Sequence, residues 1–309
     1  MRRLLVLSFL TAVLAAAELR FVILGDRTGG ADQAVYEKIW AEAAREHPAF
    51  VINVGDTIEG MNDEHAAEEW RALRPLWAKY AAITKYFTPG NHDIWSKLSE
   101  NIYTEETRRP PFYSFTFKDK VHITVLDNGR TNTLSEEQLR FLEADMKTAP
   151  AAIPRMIFFH VPFWIVPLTF RSGEFELHRI AMRYGVAAVV SGHGHQFVKL
   201  ERDGIQYLEA GSSGGSLQRG LSSGQGAAEG WFYGWTLCTI EGTRVKLEWR
   251  KIGKGKPVNS GGRRTGLMPD PQLAAVAFGV SRVCCVLLNE LLGNRCPGNF
   301  RPQIRHSCT

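Results

Sequence analysis

Five short segments of this chain carry side chains that bind hard metal ions: Gly25-Asp26, Gly55-Asp56, Gly90-Asn91-His92-Asp93, His160 and Gly192-His193-Gly194-His195. Their donors are carboxylates, one amide oxygen and imidazoles, a mixture that suits Mn, Fe or Zn better than soft-metal chemistry. Two such ions about 3.5–4 Å apart generate a nucleophile from water near neutral pH and clamp a phosphoryl group. A positioned acid then protonates the leaving alkoxide. The chemistry within reach is therefore hydrolysis of a phosphoester, with Asp56 the best-placed carboxylate to be shared by both ions.

Taken singly, each segment is ordinary. Gly-Asp after a strand is a common turn, in which glycine supplies a positive φ and aspartate bonds the local backbone. A lone buried histidine is most often satisfied by hydrogen bonds. What sets the series apart is a shared context: the segments close the apolar runs FVILGD, FVINVGD, YFTPGNHD, MIFFH and AAVVSGHGH. Five strands are expected to aim their last residues at one place.

The elements that must do the aiming alternate in type. FVILGD, a helix over Ala34–Glu46, FVINVGD, a helix over Glu64–Lys79 and ITKYFTPG imply parallel strands joined by crossover helices. Phe112–Phe117 and VHITVLD read as a hairpin, Ser135 caps a helix running to about Lys147, and a further helix spans about Glu174–Tyr184. FVKLER, IQYLEAG, WFYGWTLCTI and TRVKLEWRK add a mostly β second half. Together they predict an α/β fold, a four-layer α/β/β/α sandwich with mixed central sheets, in one domain over residues 18–256.

The ordered series resembles the calcineurin-like metallophosphoesterase superfamily over about residues 20–250. The resemblance implies two metal ions, one held by Asp26, Asp56 and His195 and the other by Asp56, Asn91, His160 and His193, with a hydroxide bridging them. It also implies that His92 is the acid for the leaving group, that Asp93 orients its ring, and that Asn91 and His92 meet the substrate. The helix LSEEQLRFLEADM, the His160-Val161-Pro162 step and GIQYLEAGSSGG extend the likeness at the level of the fold.

One departure stands out. Many members of that superfamily have Asp-x-His in the first motif, whereas this chain has Asp26-Arg27-Thr28. A branch similar to the purple acid phosphatases also lacks that histidine and places a Tyr three residues after the shared Asp, where this chain has Glu59. Glu59 is accordingly a candidate extra ligand, with a turn role as the alternative. Arg27 is a candidate for bidentate contact with phosphate oxygens, or else a surface arginine. Loss of the histidine also motivates a different class of function: a secreted member of the fold that keeps metal affinity and acts as a binding module.

The rest of the chain narrows the choice. Gly211-Ser212-Ser213-Gly214-Gly215 matches a nucleophile-elbow pattern, but the following SLQRGLSSGQG is a poor helix, which disfavours a serine hydrolase. Trp95, Phe163 and Trp164 adjoin the candidate ligands and either wall a pocket or pack in the core. No phosphate-binding Gly-rich loop with Lys, paired-cysteine zinc pattern or nucleic-acid module is present in the sequence. The expected partner is a phosphoester substrate, and the motifs fit monoesters and diesters alike.

The chain has a net charge of +5. That excess sits at its ends: Arg2 and Arg3 in residues 1–17, and six arginines against Asp270 and Glu290 in residues 259–309. The body between is near neutral, so the basic balance says little about its substrate. Residues 1–17, basic and then apolar up to small residues, have the pattern of a secretory signal peptide and predict export. The run is short for a membrane span of roughly 20 residues. Cys238 lies alone in the body, while Cys284, Cys285, Cys296 and Cys308 crowd the tail over 257–309, for which poor order is expected.

Overall fold

The computed structural model describes residues 18–170, 175–217 and 230–252. The expected leader and tail lie outside these residues. Two sheets form the centre. In the first, β1 (Leu19–Leu24), β2 (Phe50–Asn53) and β3 (Thr84–Tyr86) run parallel, and β10 (Gly234–Glu241) and β11 (Arg244–Lys251) extend it antiparallel beyond β1. The second has the order β4 (Tyr113–Phe117), β5 (Val121–Val125), β6 (Arg155–Phe158), β7 (Val186–Ser191), β9 (Ile205–Ala210) and β8 (Phe197–Arg202). Its four inner strands are parallel, while β4 and β8 pair antiparallel at the two edges.

Side-chain alternation explains the layering. Along β1, Phe21 and Ile23 face the second sheet, whereas Val22 and Leu24 face helices. A strand buried on both faces needs apolar residues at every position, which is why these runs are continuous and not alternating. Between the sheets, Phe50 stacks on Phe21 with ring centroids 4.4 Å apart and tilts against Phe117 at 4.7 Å. Cys238 is buried in the same layer as a free thiol.

The outer layers are helical. Helices α1 (Gln33–Ala44), α2 (Ala66–Lys79) and α3 (Lys97–Thr107) cover the first sheet through Trp40, Trp70 and Tyr103. Helices α4 (Glu136–Thr148), α5 (Ile165–Phe170) and α6 (Glu176–Arg183) cover the second through Leu142, Ile165 and Ile180. Asp32 caps α1 by accepting from the Val35 amide, and Ser135 caps α4 by accepting from the Gln138 amide. Such caps satisfy amides that a helix start leaves open and stabilise it by about 1 kcal/mol each. The arrangement is the expected α/β/β/α sandwich, with α3 and α5 added to the helices foreseen. Among the described residues no helix is long and apolar enough to cross a membrane.

Candidate metal centre

The C-terminal ends of β1, β2, β3, β6 and β7 lie together, and the segment after each contributes to one cluster. Asp26 follows β1, Asp56 follows β2, Asn91 to Asp93 follow β3, His160 follows β6, and His193 and His195 follow β7. Ligands of open α/β sheets gather outside the carboxyl ends of the strands, where successive loops splay apart.

Two groups of donor atoms result. Asp56, His160 and His193 place ligand atoms within 4.8 Å of one another, and so do Asp26, Asp56 and His195. Asp56 belongs to both. Asn91 joins the former group: its Oδ1 is 3.0 Å from His160 Nε2 and 3.0 Å from His193 Nδ1. His160 Nε2 is also 3.2 Å from Asp56 Oδ1 and 3.3 Å from His193 Nδ1. In the latter group, His195 Nε2 and Asp26 Oδ1 are 4.0 Å apart.

These imidazoles are oriented from behind. His160 Nδ1 lies 2.8 Å from the Val54 carbonyl, and His195 Nδ1 lies 2.6 Å from the Ser216 carbonyl. A carbonyl can only accept, so each Nδ1 carries a proton and Nε2 is the atom that faces the carboxylates, free to bind a cation once it is deprotonated. Metal-ligating histidines are commonly held this way by their second nitrogen. The donor set fits cations for another reason as well: Asp26 Oδ2 is buried and has no hydrogen-bond partner among the described residues. An acceptor left so would cost about 1–3 kcal/mol or more for a charged group, unless a positive charge meets it.

The backbone is bent to make this possible. Asp56, His193 and His195 all adopt left-handed conformations, with φ of 54°, 76° and 58°. Non-glycine residues pay roughly 1–2 kcal/mol each for that region, and such strain gathers at functional sites. Two glycines let the loops meet. A Cβ on Gly90 would lie 2.2 Å from Asp56 Oδ1, and one on Gly55 would lie 2.6 Å from His160 Nδ1.

Electrostatics divide the acids. Burial pushes Asp26 up to about 6, reinforced by Asp56 and opposed by His195 and His160. Burial would raise Asp56 too, but the charge and hydrogen bond of His160, with His92 adding, hold it well below the usual carboxylate range. Burial disfavours the charged form of His160, yet Asp56 and Asp26 raise it to about 10. Burial and the repulsion of His160 lower His193 to about 4. Among the protein groups alone, Asp56 and His160 form an ion pair beside a neutral His193.

The remaining candidates sit around this cluster in ways the sequence did not foretell. His92 donates its amide to Asp56 Oδ1 at 3.0 Å, and its ring Nδ1 contacts the Glu59 carbonyl. Asp93 does not reach that ring. Its carboxylate is buried and accepts from the amides of Gly90 at 2.9 Å and Thr57 at 2.8 Å, which ties the loops after β2 and β3 together. Burial and the charge of Asp56 raise Asp93 to about 7. The two Glu59 carboxylate oxygens are taken up by the amides of Gly29, Gly30 and Ala31.

Arg27 turns from the cluster, donating to the Thr57 carbonyl and to Gln33 Oε1 and lying over the Tyr36 ring. Thr28 occupies the position of the absent histidine. Its hydroxyl is 3.1 Å from Asp56 Oδ2 and 3.4 Å from His195 Nε2. Trp164 and Phe163 pack with the helices over the second sheet, and Trp95 with those over the first. Ser213 is buried, accepting from the Gly25 amide and donating to the Gly234 carbonyl, each at 2.8 Å. That placement gives it a structural bond between β1 and β10 in place of an exposed nucleophile.

Two contributors were not read from the sequence. Asn128 Oδ1 accepts from the amides of His160 and Val161 at 3.1 and 2.9 Å, fixing the turn that presents His160. It ends the apolar run VHITVLDN just as the ligands end theirs, and that was the available signal. Glu209, near the end of β9, is buried against the Gly194 loop, its Oε1 without a hydrogen-bond partner among the described residues, and burial with the charge of Asp26 raises it well above the usual range.

This geometry now meets known proteins. The family model described as calcineurin-like phosphoesterase matches residues 19–197. The chain belongs to the calcineurin-like phosphoesterase family. Among solved structures, a purple acid phosphatase from yellow lupin (Lupinus luteus) seeds is similar at 13% identity and a TM-score of 0.59, with 78% of this chain and 53% of that one covered. The chain thus spans about half the length of the lupin enzyme. GAP50, the anchor in the inner membrane complex of Plasmodium, is similar at 16% identity and a TM-score of 0.58, covering 86% of this chain and 95% of that one. A dimetal phosphatase from Danio rerio has 12% identity, a TM-score of 0.53 and coverage of 76% and 96%. No sequence among the curated proteins matches. At these identities the structural likenesses establish the fold, and the family supports phosphoester hydrolysis at a metal centre in general terms.

Proposed function

We propose that this protein is an exported hydrolase of phosphoesters that works with two metal ions, Mn, Fe or Zn, and uses His92 as the acid for the leaving group. One observation carries the reading: Asp26, Asp56, Asn91, His160, His193 and His195 converge in two groups that share Asp56, beside His92. Asp26, Asp56 and His195 would hold one ion; Asp56, Asn91, His160 and His193 would hold the other. When bound, the ions would lower the pKa of water and neutralise phosphoryl oxygens.

The protein's own groups do the rest. Because the Glu59 carbonyl accepts from His92 Nδ1, Nε2 is the atom that delivers a proton to the leaving oxygen. His160 and His195, anchored through Nδ1, would offer Nε2 to the ions. Asp93 supports the loop that carries His92 and leaves ring orientation to Glu59. The leader-like residues 1–17 support export.

A second reading has a specific observation behind it. The hydroxyl of Thr28 replaces an imidazole beside Asp56 and His195, which favours a metal-binding module without turnover. Metal analysis and p-nitrophenyl phosphate turnover, for wild type and His92→Ala, separate the two. The hydrolase reading expects metal-dependent turnover that falls by about 100-fold or more in His92→Ala with metal content unchanged. Absence of turnover by wild type with every metal and across a panel of phosphoesters favours the module.

A further inference from the structure

Glu59 makes two kinds of contact at once, one through its carboxylate and one through its main-chain carbonyl. Its carboxylate receives three consecutive amides, Gly29 and Gly30 at 2.9 Å and Ala31 at 2.6 Å. Those residues continue the loop that carries Asp26 and Thr28. Its main-chain carbonyl, meanwhile, receives His92 Nδ1. The peptide unit that bears this carbonyl ends in the Gly60 amide, which donates to Glu69 Oε2 at 2.8 Å. Peptide units are planar and rigid, so fixing the amide end fixes the direction of the carbonyl.

We propose that Glu59 is a positioning residue for His92: three amides hold its side chain, Glu69 holds its peptide unit, and the carbonyl so fixed sets the tautomer and direction of the imidazole. This inference rests on the hydrolase reading and assigns the part that a carboxylate from Asp93 was expected to play. A bare carbonyl holds Nδ1–H and orients the ring without adding a negative charge.

The test compares wild type, Glu59→Ala, Glu59→Gln, His92→Ala and the Glu59→Ala/His92→Ala double variant, each checked for metal content and thermal unfolding. Expected for Glu59→Ala is a kcat about 10- to 100-fold lower, with KM and metal content little changed. The loss is expected to be larger on phenyl phosphate than on p-nitrophenyl phosphate, whose leaving group needs less protonation. Glu59→Gln keeps one acceptor oxygen and is expected to fall between, and it carries the test if the alanine variant does not fold. In the His92→Ala background the same change is expected to alter kcat by less than about twofold, because coupled residues are not additive.

An equal loss in that background, or a loss explained by missing metal, overturns the proposal. If wild type itself has no turnover, the hydrolase reading fails first, and nitrogen-15 NMR of the His92 ring decides about Glu59 separately. A wild-type ring protonated at Nδ1 that becomes a tautomer mixture in Glu59→Gln supports the positioning role. An unchanged ring in the variant rejects it.

Discussion

Thr28 separates the two halves of the centre. The Asp56, Asn91, His160 and His193 side combines two imidazoles with oxygen donors, whereas the Asp26, Asp56 and His195 side has one imidazole and a nearby hydroxyl. A neutral hydroxyl is a weaker ligand than an imidazole for Zn, Fe or Mn at these positions. Thr28→His is therefore expected to tighten binding of the ion on that side by about 10-fold or more. Chelator competition with Mn or Zn measures it, and an unchanged affinity would count against the asymmetry. Legibility at this scale was uneven. Residue types and spacing marked all six candidate ligands, but not that Asp93 would spend its carboxylate on amides or that a carbonyl would hold His92. Those outcomes depend on which atoms the loops bring within about 3 Å, and a one-dimensional string does not encode that separation.

Helix α4 is bound to the hairpin of β4 and β5 by one acid. Asp145 accepts from Ser114 at 2.6 Å, from Thr124 at 2.5 Å and from His122 Nε2 at 3.0 Å. Burial would raise this carboxyl, but those hydrogen bonds outweigh it and hold it below its ordinary value of 3.8. A carboxylate whose pKa is depressed on folding stabilises above the unfolded value, and that contribution is lost as pH falls through the folded value. Asp145→Asn is thus expected to cost about 1–3 kcal/mol at neutral pH. The gap from wild type should close only below about pH 4, as urea unfolding at several pH values would show; a constant gap would contradict this role.

The same scale shows where pattern reading stops. Strongly apolar strands and the capped α1 and α4 were visible, while α3 buries only Ser99, Tyr103 and Thr107 and offers little apolar periodicity. Its start signal was local: the Ser96 side chain accepts from the Ser99 amide, and Ser99 Oγ accepts from the Ser96 amide. The short α5 contains a proline within its six residues, and its placement comes from packing over the second sheet.

The two sheets must stay in register for the centre to exist, since Asp26, Asp56 and Asn91 follow strands of the first sheet and His160, His193 and His195 follow strands of the second. Phe50 is the test of that contact: it is fully buried, packs beside Phe21 and Tyr86 of its own sheet and meets Phe115 and Phe117 of the second sheet. Phe50→Ala is expected to destabilise the fold by about 3–5 kcal/mol through lost burial and the cavity left behind. Chemical denaturation measures it, and a loss under about 1 kcal/mol would mean that the layers can close the gap. By itself the sequence determined the strand order, the helices α1, α2, α4 and α6, the donor types and the fact that five apolar runs end in polar motifs, because local periodicity and chemistry are written in consecutive residues. Only the tertiary structure decided that those ends meet, that Asp56 lies in both donor groups, that Arg27 faces away and that Glu59 joins the first loop to His92. Each of these is a contact across sheets or loops far apart in the chain, set by how two buried faces pack.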